Sequence, residues 1–280
     1  MSGVAQRSSK LDHLTDLIGS MESVVVAFSG GVDSTFLLKA ALLSKAKCLA
    51  VIAVSPTMPK HDYLNAMEMI KTLGADHLLI ERSELESQDF VKNPRDRCFY
   101  CKDQLFGKLK EIALSAGCRF VLDGSNLDDL DDWRPGRKAA LTHGVRSPLI
   151  EVGLGKEEVR QLSEELKLPT WNKPSSPCLS SRFPYGTVIT LEGLRQVDAA
   201  ESFLRTLGFT ELRVRYHKES ARIELGEEEI PRMLDASIRT EVNTHLKSIG
   251  FRYISLDLEG FRSGRLNERG ILNKGELLSL

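Results

Sequence analysis

The sequence predicts a doubly wound parallel α/β domain followed by a smaller α+β domain. Strand-length apolar runs alternate with helix-length segments through the first half of the chain. Those runs are apolar throughout, the pattern of strands covered by helices on both faces of a parallel sheet. Beyond residue 185 the order changes to helix, two strands of alternating polarity, helix and strand. At 280 residues the chain has the length of about two domains, taking roughly 150 residues for each.

In chain order, Leu11–Met21 reads as a short amphipathic helix and Ser23–Phe28 as the first strand, a β-branched run. Ser29–Ser34 is a glycine-rich loop and Thr35–Ser44 a helix. Cys48–Val54 is the second strand, closed by Ser55, Pro56 and Thr57 before a helix over His61–Leu73 that Gly74 ends. His77–Ile80 is the third strand, Lys102–Ser115 a helix with Gly117 just past its end, and Phe120–Asp123 the fourth strand. Gly155–Leu168 is helical. Pro169–Pro184, rich in Pro and Ser, reads as a linker or an active loop. Leu191–Leu207 is then a helix, Glu211–His217 and Ala221–Leu225 a hairpin, Pro231–Ile249 a helix opened by its proline, and Phe251–Leu258 the last strand. The domains are expected at 1–185 and 186–280, with the boundary near Tyr185–Thr187.

Lys plus Arg number 38 and Asp plus Glu 39, a net charge of −1, which excludes a chain that grips nucleic acid over its whole surface. The longest apolar runs, Val24–Phe28 and Cys48–Val54, fall far short of the about 20 residues that cross a bilayer. Met1–Lys10 is polar, without the apolar stretch of a secretory signal. Five cysteines, an odd and sparse count, argue against a disulfide framework. The expectation is a cytoplasmic protein with neither a membrane nor a nucleic acid as partner.

The sharpest motif is the run Ser29-Gly30-Gly31-Val32-Asp33-Ser34-Thr35 after the first strand. Two glycines let the backbone turn, and a helix then presents its free N–H groups and positive dipole end to an anion. Ser29, Ser34 and Thr35 add hydroxyls, and Asp33 suits Mg²⁺ against phosphate oxygens. No Gly-Lys-Ser/Thr follows, so this is not a Walker loop. The run resembles the loop of the N-type ATP pyrophosphatases, the PP-loop superfamily, which cleave ATP between its α and β phosphates and adenylate a carbonyl or carboxylate oxygen. Ser55, at the carboxyl end of the second strand, and Gly124, in the loop after the fourth, fall where such sheets bind ligands. Asp128 and Asp129 follow as further Mg²⁺ candidates, or as a solvated acidic loop.

Cys98 and Cys101 form a C-x-x-C pair, and Cys178 stands alone in the Pro/Ser-rich loop. Cys48 and Cys118 sit in apolar surroundings and read as packing. Arg95, Arg97 and Lys102 flank the pair and favour thiolates, which makes Lys102 a catalytic candidate. Zinc ligands, a redox couple and iron–sulfur ligands all compete. Zinc wants four ligands and no second pair is present. Two thiolates plus one would hold a [4Fe-4S] cluster with one iron open.

In Glu211–His217 the period of two puts Leu212, Val214 and Tyr216 on one face and Arg213, Arg215 and His217 on the other. Two guanidiniums on one face make a bidentate clamp for a phosphate, joined by Arg182 and Arg262 if their loops converge, with Glu224 orienting an arginine. The alternative is a charged solvent face with a cross-strand salt bridge.

Together these motifs resemble the LarE family, ATP-dependent sulfur transferases that help build the nickel-pincer cofactor of lactate racemase. The resemblance runs from about Leu14 to Arg265. Beyond the phosphate loop, Cys98–Lys102 and Asp123–Asn126, it rests on Asp132-Trp133-Arg134-Pro135-Gly136 and on Ser180 to Gly186. It rests also on Arg213-Val214-Arg215 with Arg222-Ile223-Glu224, and on Gly260-Phe261-Arg262-Ser263-Gly264-Arg265. It implies adenylation by ATP and Mg²⁺ of a carboxylate of a pyridinium dicarboxylic acid mononucleotide, then replacement of AMP by sulfur, twice per cofactor. One branch takes the sulfur from a single cysteine, at Cys178 here, leaving dehydroalanine. The presence of Cys98 and Cys101 favours the three-cysteine branch, in which a [4Fe-4S] cluster on Cys98, Cys101 and Cys178 passes on a sulfide. Catalytic roles then fall to Cys178, Asp33 and Lys102. A homo-oligomer, a sulfide donor and a downstream nickel-inserting enzyme are the implied partners. Rival readings are a tRNA thiolase of the same superfamily, an ATP-binding regulatory module without turnover, and an amide synthetase like the NAD synthetases.

Overall fold

The computed structural model describes residues 2–131 and 134–262. Asp132, Trp133, Ser263, Gly264 and Arg265, which carry part of the family resemblance, lie outside the described residues. In chain order the elements are α1 (Ser2–Gly19), β1 (Ser23–Ala27), α2 (Val32–Leu43), β2 (Lys47–Val54), α3 (Lys60–Leu73), β3 (His77–Glu81), α4 (Gln88–Val91), α5 (Arg97–Ser115), β4 (Phe120–Leu122) and α6 (Gly136–Thr142). There follow α7 (Pro148–Glu151), α8 (Lys156–Glu165), α9 (Leu191–Thr206), β5 (Leu212–His217), β6 (Ser220–Leu225), α10 (Ile230–Met233), α11 (Ala236–Ser248) and β7 (Tyr253–Leu256).

The first sheet is parallel, in the order β3-β2-β1-β4. Alternation along β1 explains its two covered faces. Val24 and Val26 pack with Phe36, Leu37 and Leu38 of α2 on one side, and Val25 packs with Phe106 and Leu109 of α5 on the other. Because β1 runs to β2 one way and to β4 the other, the order reverses between β1 and β4. That is where doubly wound sheets open a crevice at their carboxyl ends. The edge strand departs from the expectation of uniformly covered strands: Leu78 and Leu79 of β3 are 39% and 40% exposed. Among the described residues only β2 pairs with it, so no described strand covers its outer rim.

The second sheet pairs β5 and β6 antiparallel and β6 and β7 parallel, over a core of Leu204, Phe209, Val214, Ile223, Leu246 and Phe251. Lys218 turns the hairpin at φ 58°. The single helix expected over Pro231–Ile249 is instead two, because Asp235 takes the amides of Ser237 and Ile238 and starts α11 afresh. The helices α6 and α7 carry no strong periodic signal and were not expected.

The chain divides into two compact units, Met1–Phe90 with Pro94–Ser176 and Val91–Asn93 with Pro177–Leu280. The division falls at Pro177 rather than near Tyr185. Arg182 explains the shift: it bonds Glu201 of α9 and so ties that segment to the second unit, and Asn93 joins the same unit by donating to the carbonyls of Phe183 and Pro184.

Candidate active site

The strand β1 ends at Ala27, and the chain turns through Ser29–Gly31 into α2. Gly30 has φ +69°, and a Cβ there would stand 2.8 Å from the Ala66 Cα of α3. Only glycine fits, on both counts. Gly30→Ala is therefore expected to cost roughly 1–3 kcal/mol of stability and to weaken ATP binding, read by melting and by titration calorimetry. Ser34 Oγ accepts from the Ser29 amide at 3.3 Å, meets Ser29 Oγ at 3.1 Å and donates to Gly31 O at 3.2 Å. The loop is thus held by its own hydroxyls, leaving the opening amides of α2 for a ligand. Thr35, expected as a hydroxyl donor to ATP, is fully buried, and its Oγ1 has no hydrogen-bond partner among the described residues. Gly124 lies so close beneath α2 that a Cβ would reach within 3.0 Å of the Ser34 amide.

Asp33 faces the loop after β4. Its Oδ1 accepts from Asn126 Nδ2 at 3.2 Å and its Oδ2 from Lys156 Nζ at 2.5 Å. The acidic pair behind it serves the scaffold. Asp128 accepts from the Lys156 amide at the start of α8. Asp129 closes a capping box with Asn126 and pairs with Arg134 at 2.9 Å. Burial pushes the Asp129 carboxyl up, against the pull of the Asn126 amide and Arg134. Among the described residues no three His, Cys, Asp or Glu side chains gather as a metal site. Asp33, Asp128 and Asp129 are therefore not a ready-made Mg²⁺ trio; Asp33 alone opens onto the phosphate loop.

Two lysines that sequence reasoning did not single out complete this end of the sheet. Besides Lys156, Lys173 donates to the Gly30 carbonyl at 3.1 Å and pairs with Asp62 of α3 at 3.1 Å. Ser176 bonds the same Asp62 at 2.5 Å, while Arg160 holds the carbonyls of Trp171 and Lys173. The Pro/Ser-rich stretch up to Ser176 is accordingly strapped to the phosphate loop. Lys173 offered one sequence signal, as a cation inside a loop already marked as active.

Cys98 and Cys101 lie within the first turns of α5, not ahead of it, one helical turn apart on one face. Cys98 is exposed and Cys101 half-buried. Arg82 Nη2 donates to Cys101 O at 3.0 Å and contacts its Sγ at 3.6 Å, and the thiol lies 3.7 Å from Glu84 Oε1. Lys102 extends over the Phe106 ring, 5.1 Å from its centroid, and packs against Gly136. Burial pushes the Cys48 thiol up to about 12 and raises that of Cys118, so both stay protonated at neutral pH.

In the second unit Cys178 precedes a short 3₁₀ turn, Leu179–Arg182, and its carbonyl accepts from the Ser181 amide and from Arg182 Nη1. Arg182 does not reach out to a ligand as expected. It is wholly buried and doubly bonded to Glu201 at 2.8 Å, and it also holds the Pro177 carbonyl at 2.5 Å. It braces the cysteine loop. Burial acts to raise the Glu201 carboxyl, but Arg182 outweighs it and the group lies below the ordinary glutamate value. Glu201 had a signal: it shares the face of α9 that carries buried Leu194, Val197 and Leu204, a charge where the helical period calls for an apolar residue.

The alternation along β5 holds, yet both of its faces are buried over residues 212–215. Arg215 binds Glu224 through Nε at 2.9 Å and Nη2 at 2.7 Å, so Glu224 orients it; Arg222 adds a third bond at 3.1 Å. Arg213 donates to Leu212 O and stands 4.9 Å over the Phe261 ring. Burial, then Arg182 nearby, pushes its guanidinium down to about 10. A buried arginine crowded by other cations is a place that an anion would stabilise. Arg262 is exposed and pairs with Glu259.

Among the described residues no helix is long and apolar enough to cross a membrane. The NAD synthase family profile matches residues 9–94, the stretch that carries the phosphate loop. An uncharacterised protein of Synechocystis is 44% identical over 92% of this chain and 97% of its own length. The pyridinium-3,5-bisthiocarboxylic acid mononucleotide synthase of Lactiplantibacillus plantarum is 43% identical over 98% of this chain and 99% of its own. An uncharacterised protein of Methanocaldococcus jannaschii is 29% identical over 86% of this chain.

Proposed function

The chain belongs to the LarE family of pyridinium-3,5-bisthiocarboxylic acid mononucleotide synthases, and from that premise we propose that it turns the carboxylates of pyridinium-3,5-biscarboxylic acid mononucleotide into thiocarboxylates, using ATP. The observation that carries this reading is a likeness to the synthase that extends across both compact units. It therefore spans the phosphate loop, the cysteines and the buried arginines alike.

The chemistry follows from the groups present. A carboxylate oxygen attacks the α-phosphorus of ATP, the bond to pyrophosphate breaks, and a mixed anhydride with AMP forms. The first amides of α2 take up negative charge on the phosphates, with Lys156 and Lys173 beside them. Asp33 would hold Mg²⁺, which supplies further charge neutralisation. Lys156 must then share or release that carboxylate. A sulfur nucleophile next attacks the acyl carbon, and AMP departs with the carboxylate's former oxygen. Lys173→Met is expected to slow pyrophosphate release by about 10²-fold and to lower the melting temperature as well, because the buried Asp62 loses its cation.

Arg213 and Arg215 are the groups we assign to the substrate phosphate, with Glu224 fixing Arg215. The family resemblance is what supports an iron–sulfur cluster here; Cys98 and Cys101 share one helical face, and none of the five cysteines is in a disulfide. With Cys178 they would hold a [4Fe-4S] cluster, which supplies an iron-bound sulfide. Incubating the protein anaerobically with ATP, Mg²⁺, sulfide and the pyridinium substrate tests the reading. Mass spectrometry should find oxygen replaced by sulfur in the carboxylates. AMP formation with no such product would reject it.

A further inference from the structure

One buried carboxylate of the first unit has no part in that chemistry. Glu84 is 2% exposed, in a 3₁₀ turn just after β3. Its Oε1 takes the Thr57 hydroxyl at 3.1 Å and lies 3.7 Å from the Cys101 thiol. Arg82 pairs with the same oxygen at 3.4 Å while bonding the Cys101 carbonyl. Thr57 in turn meets Ser55 Oγ at 3.0 Å, and Ser55 closes the carboxyl end of β2. A continuous chain of polar contacts thus runs from the nucleotide end of the sheet to a cysteine. Glu84 Oε2 is buried with no hydrogen-bond partner among the described residues. A carboxylate kept only to stabilise the fold would be expected to satisfy both oxygens.

We propose that Glu84 is a positioning residue that makes the freedom of the Cys101 thiol depend on whether the nucleotide site is filled. The inference rests on the reading of Ser55 as part of the ATP site. Thr57 spends its one proton on Glu84, so Ser55 donates to Thr57 and keeps its lone pairs for a donor on the nucleotide. A bond accepted by Ser55 polarises the chain in one direction and strengthens Thr57's hold on Oε1. Thr57 and Cys101 compete for that oxygen. Filling the site therefore weakens the contact between Glu84 and the Cys101 thiol at the stage when the ATP that activates the acceptor is in place.

Timed iodoacetamide labelling of the full-length, thiol-reduced, cluster-free protein, read per cysteine by peptide mass spectrometry, tests this. Cys98, exposed on the same helix, is the internal reference. ATP with Mg²⁺ should speed Cys101 labelling at least about threefold relative to Cys98, a size set by one shared hydrogen bond. Thr57→Val should bring the ratio with and without ATP to about one, Thr57→Ser should restore it, and Glu84→Gln should raise the nucleotide-free rate. Should Glu84→Gln fail to fold, the Thr57 pair decides alone. ATP binding by calorimetry with no change at Cys101, an equal change at Cys98, or a Thr57→Val protein that keeps the parent ratio would each overturn the coupling. Absence of ATP binding would remove the nucleotide site and the coupling with it.

Discussion

Cys178→Ala is expected to abolish sulfur transfer while ATP is still split into AMP and pyrophosphate. The separation follows from what holds the loop. The backbone carbonyl of Cys178, not its thiol, receives Arg182 and the Ser181 amide. Truncating the side chain leaves both bonds in place, so the fold and the nucleotide end stay intact. Loss of the sulfur should lower thiocarboxylate formation by more than about 10³-fold, as for removal of an acting nucleophile or ligand. Single-turnover assays that follow pyrophosphate and thiocarboxylate together read the two steps separately; transfer at the parent rate would refute the role. Cys98→Ala distinguishes the two sulfur routes. It should stop transfer if the three cysteines act together. It should leave one turnover, with dehydroalanine at Cys178, if that residue is the donor.

Glu201→Ala is expected to destabilise the second unit by about 3–5 kcal/mol, since it leaves Arg182 charged, buried and without its carboxylate. The Val214 amide would lose its acceptor as well. Denaturant unfolding of the intact protein measures the loss. Glu201→Gln separates charge from shape. The Glu201 carboxyl lies below its ordinary value, near 4.3, because Arg182 outweighs the cost of burial. A lowered carboxyl contributes stability above that ordinary value and loses it as the pH falls through the lower native one. The parent should thus weaken in acid more steeply than the Gln variant. Equal acid profiles would mean that the pair contributes no charge-dependent stability.

Much of this was legible in the sequence because it is local. The phosphate loop joins a buried strand to a helix within seven residues, and Gly30 marks the turn that only glycine makes. The hairpin over Leu212–Leu225 declared itself by alternation and by a two-residue turn at Lys218 and Glu219. What was not legible depends on contacts far apart in the chain. Lys156 stands 123 residues from Asp33, and Lys173 stands 143 from Gly30. Neither belongs to a motif. Arg182 read as a ligand-binding arginine because nothing near it in sequence shows that Glu201, a full turn-and-helix later, takes its charge. The exposure of β3 was hidden for a similar reason, since composition does not tell an edge strand from a central one.

In the proposed reaction ATP's α-phosphorus is handed to a carboxylate oxygen of the pyridinium substrate. Supplying that substrate with heavy oxygen in its carboxylates, and analysing the AMP released, tests this most directly. Each sulfur installed should leave one heavy oxygen on the phosphate of AMP. AMP that carries none, alongside thiocarboxylate product, would contradict adenylation and with it the role assigned to the phosphate loop.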